Sequence, residues 1–278
     1  MTVEGNRRMS RKLITNGYVV TVDAVRNVFP GGFVAIDGAK ISAVGPSAQA
    51  PKPGDFDEVI DATGCIVVPG LINMHQHHWY TLFKGLADGM LLEDWVTDFL
   101  LPLSLKLDEP AMRVSSHVAG LEMLATGTTC SLNHSVTTTT PELVRASIEP
   151  QAELGIRQVY AKELRCRTPG NPRHPLSLDE ALTEFETEVK RWDGAHEGRV
   201  RIGIAIESNA HWVAAGMSTE ELSAAAMNSP AGTTSRSPRT YRAARSRSRR
   251  ASCAICAKPA APTCAISCSS ASSTRTGS

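Results

Sequence analysis

The chain has 278 residues, enough for one large α/β domain, and its formal net charge of +1 hides an uneven distribution. Residues 223–278 contain nine Lys or Arg and no Asp or Glu, which leaves 20 basic and 28 acidic residues in 1–222, a net charge of −8. No apolar run approaches the ~20 residues that span a bilayer, and the N-terminus lacks the apolar stretch of a signal peptide, so we expect no membrane insertion and a cytoplasmic, reducing location.

The first seventy residues have the pattern of antiparallel β-structure. Residues 1–11 are polar and are predicted to be disordered. Asn16-Gly17 lies between two short apolar runs and predicts a two-residue hairpin turn. Asp37-Gly38-Ala39 predicts a second turn, and further strands are predicted at 58–60 and 66–68.

Two histidines follow the next short apolar run. After the Pro69-Gly70 break, a predicted strand ends in His75 and His77. On a strand, this spacing puts both imidazoles on one face, about 7 Å apart. Neutral imidazole suits Zn, Fe and Ni, so the pair is a candidate half of a metal site. The alternative is a histidine-rich loop without metal, because His78 follows directly; on a strand, His78 would face the other side.

From here to residue 222 the pattern alternates between strands and helices, which predicts βαβ units and a parallel sheet. Strands are predicted at 128–133, 157–163 and 200–207. Helices are predicted at 108–125, 140–155 and 177–192, the last beginning with a capping box, and another helix is predicted from Ser218.

The string PGLINMHQHH at 69–78 resembles the first-barrel-strand signature of the amidohydrolase superfamily. Residues 86–95 and 122–129 are similar to segments of its branch of guanine, S-adenosylhomocysteine and triazine deaminases. The resemblance covers about residues 12–222. It implies an α/β fold with an incomplete β-sandwich subdomain at 12–69, followed at 70–222 by the first half of a (β/α)8 TIM-like metal-dependent hydrolase barrel.

The resemblance also implies a chemistry: hydrolytic deamination of an aminated nitrogen heterocycle of purine, pyrimidine or triazine type. His75 and His77 would bind one divalent metal, Zn²⁺ first and Fe²⁺ second, which lowers the pKa of a bound water. The family's later histidine ligands and its catalytic Glu and Asp have no matching positions, so the catalytic residues stay unknown. The expected partner is a small heterocyclic amine, with no nucleic acid, and intact relatives are often homo-oligomers.

Three residues are candidates for substrate contact: Trp95, Glu163 and His211. His211 follows a predicted barrel strand and Glu163 ends one, where side chains of a barrel face the active site. For Trp95, the competing interpretation is a buried helix anchor. Glu163 and His134, which also ends a predicted strand, have the competing interpretation of a loop residue or of one behind the metal ligands.

The segment 223–278 is predicted to be an unstructured tail translated out of frame. Its Arg-rich run at 242–250 would suit nucleic-acid binding, and Cys253, Cys256, Cys264 and Cys268 would suit zinc. A frameshift explains both features, because a shifted frame permits a strand carrying a histidine followed by an amphipathic helix. On this interpretation the chain as printed is truncated and catalytically inactive. A lower-ranked alternative for the intact enzyme is a cyclic amidase such as a dihydroorotase or hydantoinase, but 200–207 contains no lysine to bridge two metals.

Overall fold

The computed structural model describes residues 10–166 and 175–205, together with Asn228 and residues 264–267. They belong to two compact units, one running to Leu71 and including 264–267, the other beginning at Ile72. The strands are β1 (Arg11–Val20), β2 (Val28–Asp37), β3 (Lys40–Pro46), β4 (Glu58–Asp61), β5 (Ile66–Pro69), β6 (Leu71–Gln76), β7 (Thr128–Ser135), β8 (Arg157–Glu163), β9 (Val200–Ala205) and β10 (Cys264–Ser267). The helices are α1 (Leu92–Asp94), α2 (Leu101–Ser104), α3 (Glu109–Ala125), α4 (Pro141–Glu153), α5 (Leu178–Trp192) and the single turn α6 (Ala195–Gly198). Short 3₁₀ turns lie at Ser47–Gln49, Pro53–Asp55 and His78–Phe83, and a π-helical turn lies at Trp95–Leu100.

The first unit is a six-stranded sheet in the order β10-β5-β1-β2-β3, with β4 also paired to β1. Its central strand β1 is antiparallel to β2 and parallel to β4 and β5. The expected turn at 37–39 is confirmed, since it joins the antiparallel pair β2 and β3. The expectation of a wholly antiparallel subdomain is wrong at β4 and β5.

The Asn16-Gly17 hairpin is also wrong, because both residues lie inside the single strand β1. The pairing of β1 with β2 shifts register on either side of Gly17, and Asn16 has a positive φ of 61°. The Asn16 side chain donates to Asp61 at 2.9 Å. A Cβ on Gly17 would lie 2.5 Å from Val67 Cγ2. The dipeptide therefore forms a bulge that lets neighbouring strands approach closely.

Two boundary expectations also differ from the structure. Arg11, placed in the disordered N-terminus, is the first residue of β1. Cys264–Ser267, placed in the unstructured tail, forms β10 and pairs antiparallel with β5.

The second unit contains the sheet β6-β7-β8-β9, in which β7, β8 and β9 are parallel, as expected for βαβ units. Successive side chains alternate between its faces. One face buries a small cluster of Leu132, Val159, Ala161 and Ala205. Helices α4 and α5 cover the other face, where Ile148, Tyr160, Phe185 and Ile202 are among the buried residues.

The helix starts are set by local capping, as the sequence predicts. The side chain of Asp108 accepts from the Ala111 amide, and Thr140 accepts from the Leu143 amide. Ser177 and Glu180 form the predicted capping box at the start of α5. No helix in the described segments is long and apolar enough to cross a membrane. The helix expected from Ser218, the Arg-rich run and His211 lie outside the described residues.

Candidate metal centre

Three histidines converge at the ends of neighbouring strands β6 and β7. His75 lies in β6 and His77 follows directly after it, whereas His134 is the penultimate residue of β7. One ligand nitrogen from each ring can be chosen so that all three lie within 4.8 Å of one another. The expected HxH pair is thus brought together, and a third imidazole joins it.

The spacing of the HxH pair suits a shared ion. Nε2 of His75 lies 3.0 Å from Nε2 of His77, and the two ring planes are almost perpendicular at 85°. Two nitrogens that each lie about 2.0–2.1 Å from a tetrahedral zinc are about 3.3 Å apart. A small outward movement of either ring would therefore give the spacing of two metal ligands.

The tautomer of His77 is fixed by the neighbouring strand. Its Nδ1 lies 2.8 Å from the backbone carbonyl of His134. Because a carbonyl only accepts, Nδ1 carries the proton and donates it, which leaves the lone pair of Nε2 on the side of His75. Metal-binding histidines are commonly oriented in this way through their second nitrogen.

Burial keeps the rings of His77 and His134 neutral. Burial lowers the pKa of His77 to about 4, although its bond to the His134 carbonyl opposes this shift. Burial, with some repulsion from His77 and His75, lowers the pKa of His134 to about 3. Neutral imidazole is the form that binds a metal, so the donor set fits a divalent transition metal at neutral pH.

Asn133 fixes the histidine pair against β7. It faces away from His134 and is buried; its Oδ1 accepts from the His78 amide at 3.3 Å and its Nδ2 donates to Ser147 Oγ at 2.9 Å. His78 is fully buried and is not part of the three-histidine group, as its position predicts.

The candidate substrate residues differ in their placement. The ring of Tyr80 lies 5.3 Å from that of His77, and Trp95 contacts Tyr80 edge-on at 6.0 Å. Trp95 is also half-buried against the core around Trp79 and Leu100, so it is connected to the site and serves as a helix anchor.

Glu163 ends β8 on the sheet face that carries His134, since Ala161, two residues earlier, is the register partner of His134. Its side chain is buried. His134 lies within β7 rather than in a loop, so that part of its sequence interpretation is wrong. The available signal was its position at the end of a predicted strand.

Several known proteins are similar to this chain in sequence. Residues 66–230 match the sequence profile of the Amidohydrolase family. A 5-methylthioadenosine/S-adenosylhomocysteine deaminase from Desulforudis audaxviator is 35% identical over 190 residues, which are 68% of this chain and 40% of that protein. A 5'-deoxyadenosine deaminase from Methanosarcina acetivorans is 30% identical over 195 residues, 69% of this chain and 41% of that protein.

Solved structures share the fold. Atrazine chlorohydrolase from Arthrobacter aurescens TC1, complexed with zinc, superposes with a TM-score of 0.66 at 22% identity, over 77% of this chain and 49% of that chain. Guanine deaminase from C. acetobutylicum with bound guanine gives a TM-score of 0.59 at 15% identity, over 70% and 46% respectively. The chain spans about two fifths of the length of the curated relatives named above. Since the family profile covers more than half of the printed sequence, the chain belongs to the amidohydrolase family.

Proposed function

We propose that this protein is a metal-dependent hydrolase that deaminates an aminated nitrogen heterocycle of the purine, pyrimidine or triazine type. The observation that supports this proposal best is the convergence of His75, His77 and His134 at the ends of β6 and β7. The two sequence relatives deaminate 5-methylthioadenosine or S-adenosylhomocysteine and 5'-deoxyadenosine, which makes purine nucleosides with an exocyclic amine the first class to test. The reaction would break a carbon–nitrogen bond that is not a peptide bond.

The metal would be Zn²⁺ first and Fe²⁺ second, because the donors His75 and His77 are imidazoles. When bound, such a metal activates water for attack at neutral pH. His77 would offer Nε2 to it because the His134 carbonyl holds the proton on Nδ1. His75 would also offer its Nε2, which lies 3.0 Å from Nε2 of His77.

The protein would contribute substrate positioning from the same edge of the sheet. Glu163 would contact a polar edge of the heterocycle, while Trp95 and Tyr80 would provide an aromatic side near His77. His211 remains a proposed substrate contact from outside the described residues. A small-molecule substrate, a homo-oligomeric state, no nucleic-acid binding and a cytoplasmic location complete the proposal.

The direct test is ammonia release by the purified, zinc-loaded chain. Candidate substrates are 5'-methylthioadenosine, S-adenosylhomocysteine, guanine and aminated triazines. We expect release from at least one of them, and we expect the His75→Ala and His77→Ala variants to lose it. Release that persists in both variants would rule out the histidine pair as the reaction centre.

Cyclic-amide hydrolysis ranks lower on structural grounds. Such relatives commonly bridge two metals with a carboxylated lysine after the fourth barrel strand, and β9 contains no lysine. Lys162 in β8 lies on the opposite sheet face from His134, because its register partner is Ser135. Its Nζ is ion-paired with Glu184 at 2.7 Å. Assaying dihydroorotate and hydantoin beside the amines would test this ranking.

A second candidate is that the polypeptide as printed has no catalytic activity. The observation that favours it is the change after residue 222 to a segment with nine basic and no acidic residues. Sequencing the gene across codons 210–260 tests this idea. A missing or extra base there, with activity in the restored protein only, would support a frameshift; an unchanged sequence with an active product would contradict it.

A further inference from the structure

We infer that His134 is a third metal ligand, supplied by β7, and that the printed chain alone therefore holds a three-histidine metal site. This inference rests on the proposed metal chemistry but goes beyond it. The ligand set implied by the family resemblance takes its later histidines from the fifth and sixth barrel strands. His134 instead belongs to β7, the strand hydrogen-bonded beside the HxH strand.

The distances place His134 within reach of the same ion. Its ring centroid lies 5.0 Å from that of His77 and 5.5 Å from that of His75, comparable with the 4.7 Å between the HxH rings themselves. Because suitable ligand atoms of all three lie within 4.8 Å, one ion in the middle can contact each ring after small rotations. The backbone of His134 already holds His77 in position, so residue 134 would act on the metal twice.

The ring nitrogens of His134 also need a partner. Nδ1 and Nε2 are both buried, and neither has a hydrogen-bond partner among the described residues. Leaving a buried polar atom without a hydrogen-bond partner costs stability. Ligation through one nitrogen would remove part of this cost, whereas a purely packing role would leave both atoms unsatisfied.

The rest of β7 explains why this ring points at the site. Side chains alternate along a strand, so Asn133 and Ser135 lie on one face while Leu132 and His134 lie on the other. The hydrogen bonds of Asn133 to the His78 amide and to Ser147 fix that alternation. His134 is thereby held on the face opposite to helix α4, beside the pair.

A third ligand changes what the printed chain can do. Catalytic zinc sites normally have three protein ligands and one open position, and a site with two ligands falls short of this. With His134 the site reaches three. We therefore expect the chain to bind one zinc or cobalt ion without any ligand from the segment after residue 205.

The test is metal binding by the 278-residue chain, followed through zinc affinity against a chelator and through the visible spectrum of bound Co²⁺. We expect His134→Ala to weaken zinc binding by about 100-fold or more, exceeding the loss typical for residues that only orient a ligand. His196→Asn is the matched control: it removes an exposed imidazole from a position with a positive φ of 51°, which Asn tolerates. This control should bind zinc like the parent chain.

His134→Cys separates ligation from packing. A thiolate at this position should restore zinc binding and add a sulfur-to-cobalt charge-transfer band, and it decides the question even if His134→Ala does not fold. Zinc affinity within about threefold of the parent in His134→Ala, or no such band in the Cys variant, would overturn the inference. Unchanged binding in His75→Ala and His77→Ala would instead overturn the proposed metal site itself.

Discussion

Asn133 shows how a single buried residue positions the candidate site. It does not face the histidines, yet its side chain joins β7 to the His78 amide and to Ser147 in α4. The next residue in the chain provides both the imidazole and the carbonyl that orients His77. Positional accuracy at the site therefore depends on a side chain that points away from it.

Replacing Asn133 with Ala should reduce stability and metal affinity together. Two buried partners would lose their hydrogen bonds, at a cost of about 1–3 kcal/mol in the free energy of unfolding. Zinc affinity should fall by about 10-fold or more, because the HxH segment loses its anchor. Urea unfolding and zinc titration measure the two effects. Asn27→Ala, which removes an exposed loop residue bonded to Asp23, is the control, and equal losses in both variants would refute the role of Asn133.

At the same scale, the sequence predicts that His75 and His77 lie together, but not that His134 lies beside them. A spacing of i, i+2 is local information, so one strand assignment suffices to place both rings on one side. The participation of His134 depends on which strand neighbours β6 and on the register between them, and neither is encoded near residue 134. Strand-end position alone left several roles open.

Between elements, β1 is the clearest case of a local signal overruled by tertiary packing. An Asn-Gly dipeptide commonly forms the turn of a β-hairpin. Here it lies inside β1, which pairs with β2 on one edge and with β4 and β5 on the other. Those partners hold Asn16 and Gly17 inside one continuous strand. By contrast, the starts of α3, α4 and α5 were predictable because each depends on a side chain and an amide a few residues away.

Gly17→Ala should therefore destabilise the first unit. The added Cβ would lie 2.5 Å from Val67 Cγ2 and 3.2 Å from Ala62 Cβ, so the strands must separate. Overpacking of this kind costs about 1–3 kcal/mol. Gly54→Ala, where nothing lies within 4 Å of the added atom, is the matched control. Thermal unfolding should separate the two variants, and indistinguishable midpoints would contradict the close approach.

An ion pair between Lys162 and Glu184 joins β8 to α5. Lys162 Nζ is buried, donates to the Thr138 carbonyl at 3.1 Å and pairs with Glu184 at 2.7 Å. Burial opposes ionisation of Glu184, but Lys162 and Arg165 outweigh it and lower its pKa below 4.5. The substitution Glu184→Gln leaves the buried ammonium of Lys162 without this counter-charge. We therefore expect the free energy of unfolding to fall by about 3–5 kcal/mol near pH 7.

The pH dependence follows from the direction of that shift. A carboxylate whose pKa is lower in the folded protein stabilises it above its ordinary value of 4.5, and this contribution is lost as pH falls below that value. The difference in the free energy of unfolding between the parent chain and the Glu184→Gln variant should therefore become smaller as the pH falls. Glu186→Gln, another substitution on α5, is the control. A gap that stays constant from pH 7 to pH 3 would exclude the ion pair as its origin.

For the whole molecule, the candidate metal site belongs to one of the two units. All three histidines belong to the unit that begins at Ile72, and none to the sheet of β1–β5. The strand–helix alternation allowed the sequence to predict this second unit as a parallel α/β assembly. The parallel pairing of β4 and β5 with β1 was not predictable, because strand direction in the first unit depends on partners distant in sequence.

Zinc should accordingly stabilise one unit selectively. A ligand that binds only the folded state adds about 2.7 kcal/mol at a free concentration 100 times its dissociation constant. Since the three histidines lie in β7 and in or directly after β6, slow amide exchange should become slower in β7 and β8 on adding zinc, while β2 and β3 keep their rates. Hydrogen exchange followed by mass spectrometry resolves these peptides. The His75→Ala/His77→Ala double variant should show no zinc effect in any of the four strands. Equal protection of both units in the parent chain would contradict a zinc site confined to the histidines of the second unit.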